Sequence, residues 1–72
     1  MVKAVVLVKS PKKLIAAKLK RVSSVNESFP VSGQFDAVAI IDVNNLSEIK
    51  GVTIEIQKIT GVERTETMIQ VQ

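Results

Sequence analysis

Apolar residues in this 72-residue chain fall into six runs, four with the spacing of strands and two with the spacing of helices. Short stretches of β-branched and other apolar residues, alternating or continuous, are typical of strands. They predict strands over residues 2–8, 25–32, 35–43 and 63–71. Apolar residues three and four positions apart predict amphipathic helices over residues 12–22 and between Asn45 and Gly61.

Local signals mark the ends of both predicted helices. Ser10 followed by Pro11 predicts an N-cap with proline at the first helical position, where the missing N–H is not needed. Asn45 with Glu48 three residues later resembles a capping box, and Gly61 is a suitable C-terminal stop. The apolar stripes of the two helices comprise Leu14, Ile15, Leu19 and Val22, and Leu46, Ile49, Val52, Ile56 and Ile59.

The order of the elements predicts the fold. Strand, helix, strand, strand, helix and strand, with right-handed crossovers, interleave into an α+β ferredoxin-like βαββαβ sandwich. This fold has a four-stranded antiparallel sheet with two helices on one face, and 72 residues suffice for one such domain, residues 1–72. Pro30 cannot donate to a ladder, so the second strand should be an edge strand. Gly33 and Gln34 are expected to form a tight hairpin turn.

The two central strands are apolar on both faces. In residues 2–8 and 37–43, apolar side chains occupy successive positions instead of alternate ones. A sheet face that meets water is normally polar, so we expect the helix-free face to pack on the same face of a second copy. Ile54 lies opposite the stripe of the second helix. It marks a further contact, or it is a single exposed isoleucine that needs no explanation.

Composition limits the chemistry and the location. Without cysteine or histidine there can be no disulfide and no thiolate or imidazole metal site, and no cofactor is expected. The net charge of +3 comes mostly from the first helix. It indicates either a solvated helix face or a nucleic-acid footprint. No run approaches the ~20 apolar residues of a membrane span, and no signal sequence is evident, so a cytoplasmic location is expected.

One cluster of residues has candidate binding chemistry. Catalysis is not expected, because the carboxylates are not closely paired and no nucleophile has an evident base. RNA binding on such a sheet needs aromatic residues on the central strands, and the chain has two phenylalanines and no tyrosine or tryptophan. Amides around Gly33 could bind a carboxylate while Asp36 binds an ammonium group. The alternative is a turn glycine followed by a solvated aspartate.

Two stretches carry a resemblance to a known family. Residues 31–38, Val-Ser-Gly-Gln-Phe-Asp-Ala-Val, resemble the hairpin of the effector-binding (RAM) domain of the Lrp/AsnC family. Residues 59–67, Ile-Thr-Gly-Val-Glu-Arg-Thr-Glu-Thr, are similar to that family's passage from the second helix into the last strand. The resemblance implies a ferredoxin-like fold, dimers built through the sheets, assemblies of several dimers, and amino acids or related metabolites bound between dimers.

The resemblance also implies a binding site and a departure from the family. The implied ligand-binding residues are Ser32, Gly33, Gln34, Asp36, Thr65 and Thr67. Full-length members carry an N-terminal helix-turn-helix, whereas this sequence begins at the effector domain. It therefore resembles a stand-alone form for which direct DNA binding is not expected. Pro30 stands where the family usually has a hydrophobic residue.

Two functions from different classes follow. The first is a module that binds an amino acid or related small metabolite and regulates transcription or metabolism indirectly. It would do so by assembling with itself or with full-length relatives, because a ligand bound between chains stabilises the assembly that forms its site. The second is a purely structural oligomerisation or interaction domain without a ligand.

Overall fold

The six elements occur in the predicted order. The computed structural model describes residues 2–12 and 14–71. Its elements are β1 (Val2–Lys9), α1 (Ile15–Lys20), β2 (Val25–Pro30), β3 (Ala37–Val43), α2 (Ser47–Gln57) and β4 (Arg64–Ile69). Lys13, which the first predicted helix includes, lies outside the described residues. So do Met1 and Gln72, the ends of the predicted domain.

The strands form one antiparallel sheet in the order β2-β3-β1-β4. The central pair runs from Val2 opposite Val43 to Val8 opposite Ala37. With both helices on one face, this confirms the ferredoxin-like α+β fold and places β2 and β4 at the edges. β2 is an edge strand, as predicted, but it ends at Pro30 instead of Ser32. The register shift between its residues 25 and 27 is a β-bulge.

Alternation along the strands divides their apolar residues between the two faces of the sheet. Val6 and Val8 of β1, with every second residue of β3, are buried against the helices. The intervening residues lie on the helix-free side, which we call the open face. Its apolar members are Val5, Leu7, Phe29, Val38, Ile40 and Met68.

The first helix begins later than its sequence predicts. The expected N-cap at Ser10, with Pro11 at the first helical position, is wrong because α1 begins at Ile15. Ser10 Oγ instead accepts a hydrogen bond from the Lys12 N–H at 3.1 Å, closing a local turn. Leu14, with a φ of 66°, then directs the chain into the helix. The Ser10 N–H donates to the Asp36 carboxylate at the end of the sheet, which fixes the chain before this turn.

The second helix keeps half of its predicted capping box. Glu48 accepts a hydrogen bond from the Asn45 N–H at 3.0 Å, whereas Asn45 Oδ1 accepts from Ser47 Oγ at 2.5 Å instead of capping a backbone N–H. Ile49, Val52 and Ile56 of the apolar stripe are buried, Ile59 is half-buried against the core, and Leu46 is 58% exposed. The helix ends at Gln57, and Gly61 lies in the following turn with a φ of 100°.

The connection between β2 and β3 is a loop over residues 31–36, which we call the hairpin loop. The Val31 N–H donates to the Asp36 carbonyl at 3.0 Å and closes it. Gly33 lies inside the loop with a φ of 124°. The two-residue turn predicted at Gly33 and Gln34 is therefore wrong, and the loop includes residues that were expected to continue the strands.

Candidate ligand-binding site

Asp36 lies where the hairpin loop meets the end of β1. Its Oδ2 accepts a hydrogen bond from the Ser10 N–H at 2.8 Å and lies 3.6 Å from Lys9 Nζ. Its own N–H donates to the Val8 carbonyl at 2.8 Å. The side chain nevertheless remains 37% exposed. The carboxylate is therefore held in position and accessible, as a group that binds an ammonium ion should be.

The tip of the hairpin loop presents the next three predicted residues to solvent. Ser32, Gly33 and Gln34 are all exposed. A Cβ on Gly33 would meet nothing within 4 Å, so its left-handed backbone, and not crowding, is the reason for glycine at this position. The structure thus brings four of the six predicted residues, Asp36 included, into one loop.

The two predicted threonines lie elsewhere, on the helix side of β4. Thr65 is opposite Val8 and Thr67 is opposite Val6 in the ladder with β1. Gln57 Nε2 donates a hydrogen bond to Thr65 Oγ1 at 3.0 Å. Because β1 separates β3 from β4, the backbones of these two strands lie about 10 Å apart, two strand spacings. Within one chain the threonines are therefore not brought beside Asp36.

Thr67 lines a groove of about 420 Å³ between α2 and β4. Aliphatic side chains form most of this groove, among them Leu46, Ile54 and Ile69, which are 58%, 41% and 42% exposed. Ile54, which the sequence singled out, is thus part of an apolar concavity and not an isolated exposed residue. Thr67 therefore faces a largely apolar surface.

A second concavity, of about 410 Å³, has Asp36 in its wall. It lies between residues 10–12 and 14–16, which include Lys12 and Ala16, and Pro30 at the end of β2. We call it the Asp36 cavity. Its walls come from three separated parts of the chain, so no local signal in the sequence could have predicted it.

A cation–π contact ties the hairpin loop to β4. The Arg64 guanidinium carbon lies 5.2 Å from the centre of the Phe35 ring, within the range of a favourable contact. The spacing of these residues gives no hint of this contact. It joins the two sequence stretches that carry the family resemblance.

Two classes of feature are missing from the part of the chain that the structure describes. In residues 2–12 and 14–71, no group of three or more acidic side chains is placed to hold a metal ion. Within the same ranges, neither helix has the length and apolar content required to cross a bilayer.

The comparisons with known proteins agree on one family. The sequence model described as "Lrp/AsnC ligand binding domain" matches residues 3–72. No curated protein matches the chain in sequence. Among solved structures, TTHA0845 from Thermus thermophilus is similar, with 28% identity, a TM-score of 0.90 and coverage of 100% of this chain and 95% of that one. FFRP-DM1 has 25% identity and a TM-score of 0.85, with 99% and 100% of the two chains covered.

A third structure shares the fold at lower identity. It is the feast or famine regulatory protein Rv3291c from M. tuberculosis, complexed with L-methionine. The identity is 18% and the TM-score 0.84, over 100% of this chain and 51% of that one. Because the family match spans nearly the whole sequence and the fold agrees with it, this chain belongs to the Lrp/AsnC ligand-binding-domain family.

Proposed function

We propose that this domain binds an amino acid or a related small metabolite and assembles with copies of itself. Through that assembly it regulates transcription or metabolism indirectly. The observation that carries the proposal is the Asp36 carboxylate, fixed by the Ser10 N–H at 2.8 Å and still 37% exposed beside the hairpin loop. The L-methionine complex of a protein with the same fold supports an amino acid as the ligand.

In the proposed site, Asp36 accepts hydrogen bonds from the ligand's ammonium group. The amides around Gly33 receive its carboxylate, with Ser32 and Gln34 beside them. A neighbouring chain supplies the hydroxyls of its threonines 65 and 67. The separation of the threonines from Asp36 in one chain supports this sharing, because a single chain leaves the polar contacts incomplete.

The proposed assembly begins at the open face. Val5, Leu7 and Ile40 are partly exposed there, and a second copy would cover them through a two-fold contact. Full-length relatives carrying the same domain could join through the same face. Ligand binding between such dimers would stabilise the assembly by linkage. A cytoplasmic location is part of the proposal and agrees with the absence of cysteine.

One observation favours a purely structural domain as the second candidate. Asp36 Oδ2 already accepts from the Ser10 N–H, and Thr65 already accepts from Gln57. Both polar groups therefore have roles inside the chain that need no ligand. An assembly that forms regardless of added metabolites would agree with this alternative.

The test is thermal unfolding of the purified protein with single amino acids in amino-acid-free buffer. A ligand at 100 times its dissociation constant adds about 2.7 kcal/mol per site, which corresponds to roughly several degrees for a domain of this size. Asp36→Ala should remove the ligand-induced shift in unfolding temperature. It should leave the dimer intact, as measured by the molecular mass of the particle in solution. Glu55→Ala, which removes an exposed carboxylate on α2, should keep the shift.

Two results would contradict the proposal in different ways. A shift that persists in Asp36→Ala would exclude Asp36 from the site. If no amino acid or related metabolite shifts the wild type, the structural alternative stands. Asp36→Ala should itself unfold at a lower temperature, because it loses the hydrogen bond from the Ser10 N–H. The ligand-induced shift of each variant is therefore measured against the same variant without ligand.

A further inference from the structure

We propose that two copies of this chain pair antiparallel along β4, so that their four-stranded sheets join edge to edge. The contact is separate from the open face and gives the proposed assembly a second surface. It rests on the proposed function only in that the chain associates with itself. No bound ligand and no role of Asp36 enter into it.

Exposed apolar side chains are concentrated at this edge. Seven large apolar side chains in residues 2–12 and 14–71 are exposed, and five of them lie near the end of β4 or beside it on α2. These five are Leu46, Ile54, Met68, Ile69 and Val71. Apolar exposure gathered in one place normally marks an association surface. Residues 67–71 carry no charge, so this edge lacks the charged side chains that usually prevent strands from pairing.

The backbone of β4 has one free side. β4 pairs with β1 and is the last strand of the sheet. The Gln70 N–H donates to the Lys3 carbonyl at 2.9 Å. Because pairing groups alternate along a strand, the N–H and C=O groups of residues 65, 67 and 69 point away from β1. No strand in the described part of the chain covers them, so they are available to an added strand.

Charge repulsion limits the register of the pair. A two-fold axis at Met68 places Thr67 opposite Ile69 of the second copy. It also places Glu66 opposite Gln70 of the second copy. The two Glu66 residues are then about 13 Å apart along the strands. An axis at Glu66 itself would set two carboxylates directly opposite each other, which is destabilising.

The same register brings opposite charges together on the open face. Lys3 lies beside Gln70, so Lys3, Gln70 and Glu66 of the second copy form one row across three strands. The backbones of the outer two are about 10 Å apart, a distance that these two long side chains span. Both side chains are exposed, and neither has an ion-pair partner within residues 2–12 and 14–71. The two-fold axis forms the pair twice, so charge complementarity specifies a second copy as the partner.

The groove between α2 and β4 gains a wall from the added strand. Thr67 and Ile69 line this groove on the helix side of β4. In the paired strand, Ile69 of the second copy lies next to Thr67 on the same side, and its Val71 lies next to Thr65. Their apolar side chains remove aliphatic surface of the groove from water.

A single introduced thiol tests the register, because the chain has no cysteine. All variants carry Leu7→Glu, which weakens the open-face contact and leaves the β4 edge unchanged. Opposite residues of a non-hydrogen-bonded pair have Cα atoms about 4.5 Å apart, within the range of a disulfide. Met68→Cys, at the two-fold axis, should therefore form a covalent dimer on mild oxidation. Val71→Cys, more exposed but opposite Thr65, should stay monomeric.

Proline tests the backbone pairing without a thiol. Ile69→Pro removes an outward N–H and leaves the ladder with β1 in place. Because each chain loses one hydrogen bond of the contact, association should weaken about 10-fold or more. Ile69→Ala keeps the N–H and should associate more tightly than Ile69→Pro. Sedimentation in the Leu7→Glu background measures both, and circular dichroism confirms folding.

Three results would overturn the proposal. They are equal cross-linking of Met68→Cys and Val71→Cys, equal association of Ile69→Pro and Ile69→Ala, and a Leu7→Glu chain that stays monomeric at every concentration. None of them changes the expected effect of an amino acid on the unfolding temperature of the wild type. That measurement tests the proposed function separately.

Discussion

The two faces of the sheet differ in what covers them, although the same strands supply both. On the helix side, Val6, Val8 and Ile41 are each 0% exposed. On the open face, Val5, Leu7 and Ile40 remain partly exposed. The first face is completed within the chain, and the second is apolar without a covering layer. The comparison teaches that stability and the proposed assembly depend on different residues, which lie next to one another in sequence.

The largest expected effect tests the covered face. Ile41→Ala should lower the free energy of unfolding by about 2–5 kcal/mol, because it leaves a cavity among fully buried side chains. Its neighbour Ile40 is the matched control, since the same truncation on the open face removes only partly buried surface from the isolated chain. Urea unfolding at low protein concentration measures both. Equal losses would break the distinction between the faces.

The second prediction tests the open face. Leu7→Glu places a carboxylate opposite Glu66 and within the proposed two-fold contact. It should weaken self-association by at least about 100-fold, roughly 2.7 kcal/mol, because a charge loses its hydration there. Ala17→Glu adds the same charge at an exposed position of α1 and serves as control. Sedimentation should show smaller particles for the first variant only, with both folded by circular dichroism.

The smallest effect should appear where neither face is involved. A Cβ on Gly51, which is exposed in α2, meets nothing within 4 Å. Gly51→Ala should therefore raise the free energy of unfolding by about 0.5–1 kcal/mol through helix propensity. It should not change the number of chains per particle in solution. Gly33→Ala has equal space but a φ of 124°, so it should destabilise. The unfolding temperatures of the two variants give the comparison, and a shift of the same sign in both would contradict it.

Sequence pattern predicted those parts of the fold that depend on local periodicity. The element order and the buried stripe of α2 follow from spacings of two or of three and four residues, and the edge position of β2 follows from Pro30. The start of α1 did not follow, because Leu14 adopts a left-handed φ of 66° just before the helix, a conformation that an apolar residue in a helical stripe does not predict. The turn predicted at Gly33 and Gln34 was shorter than the observed hairpin loop. No sequence signal indicates the hydrogen bond between Val31 and Asp36 that closes this loop.

The candidate site was predictable only where it is local. Four of the predicted residues are close in sequence, and in the structure they lie in the hairpin loop: Ser32, Gly33, Gln34 and Asp36. Bringing the threonines to that loop needs a second chain in the proposed assembly, which no pattern within one chain describes. The Asp36 cavity was equally hidden, because Pro30 and Ala16 meet across it only after β2 pairs with β3 and α1 packs on the sheet.

The unequal edges of the sheet have a consequence for aggregation. Pro30 and the bulge near the start of β2 interrupt the pairing groups of one edge, while β4 carries no proline at the other. A chain with two open edges can add further strands without limit and grow into fibrils. Here a second copy that paired along β4 would use the free edge of both chains. Pro30 and the bulge therefore disfavour edge-to-edge growth through β2.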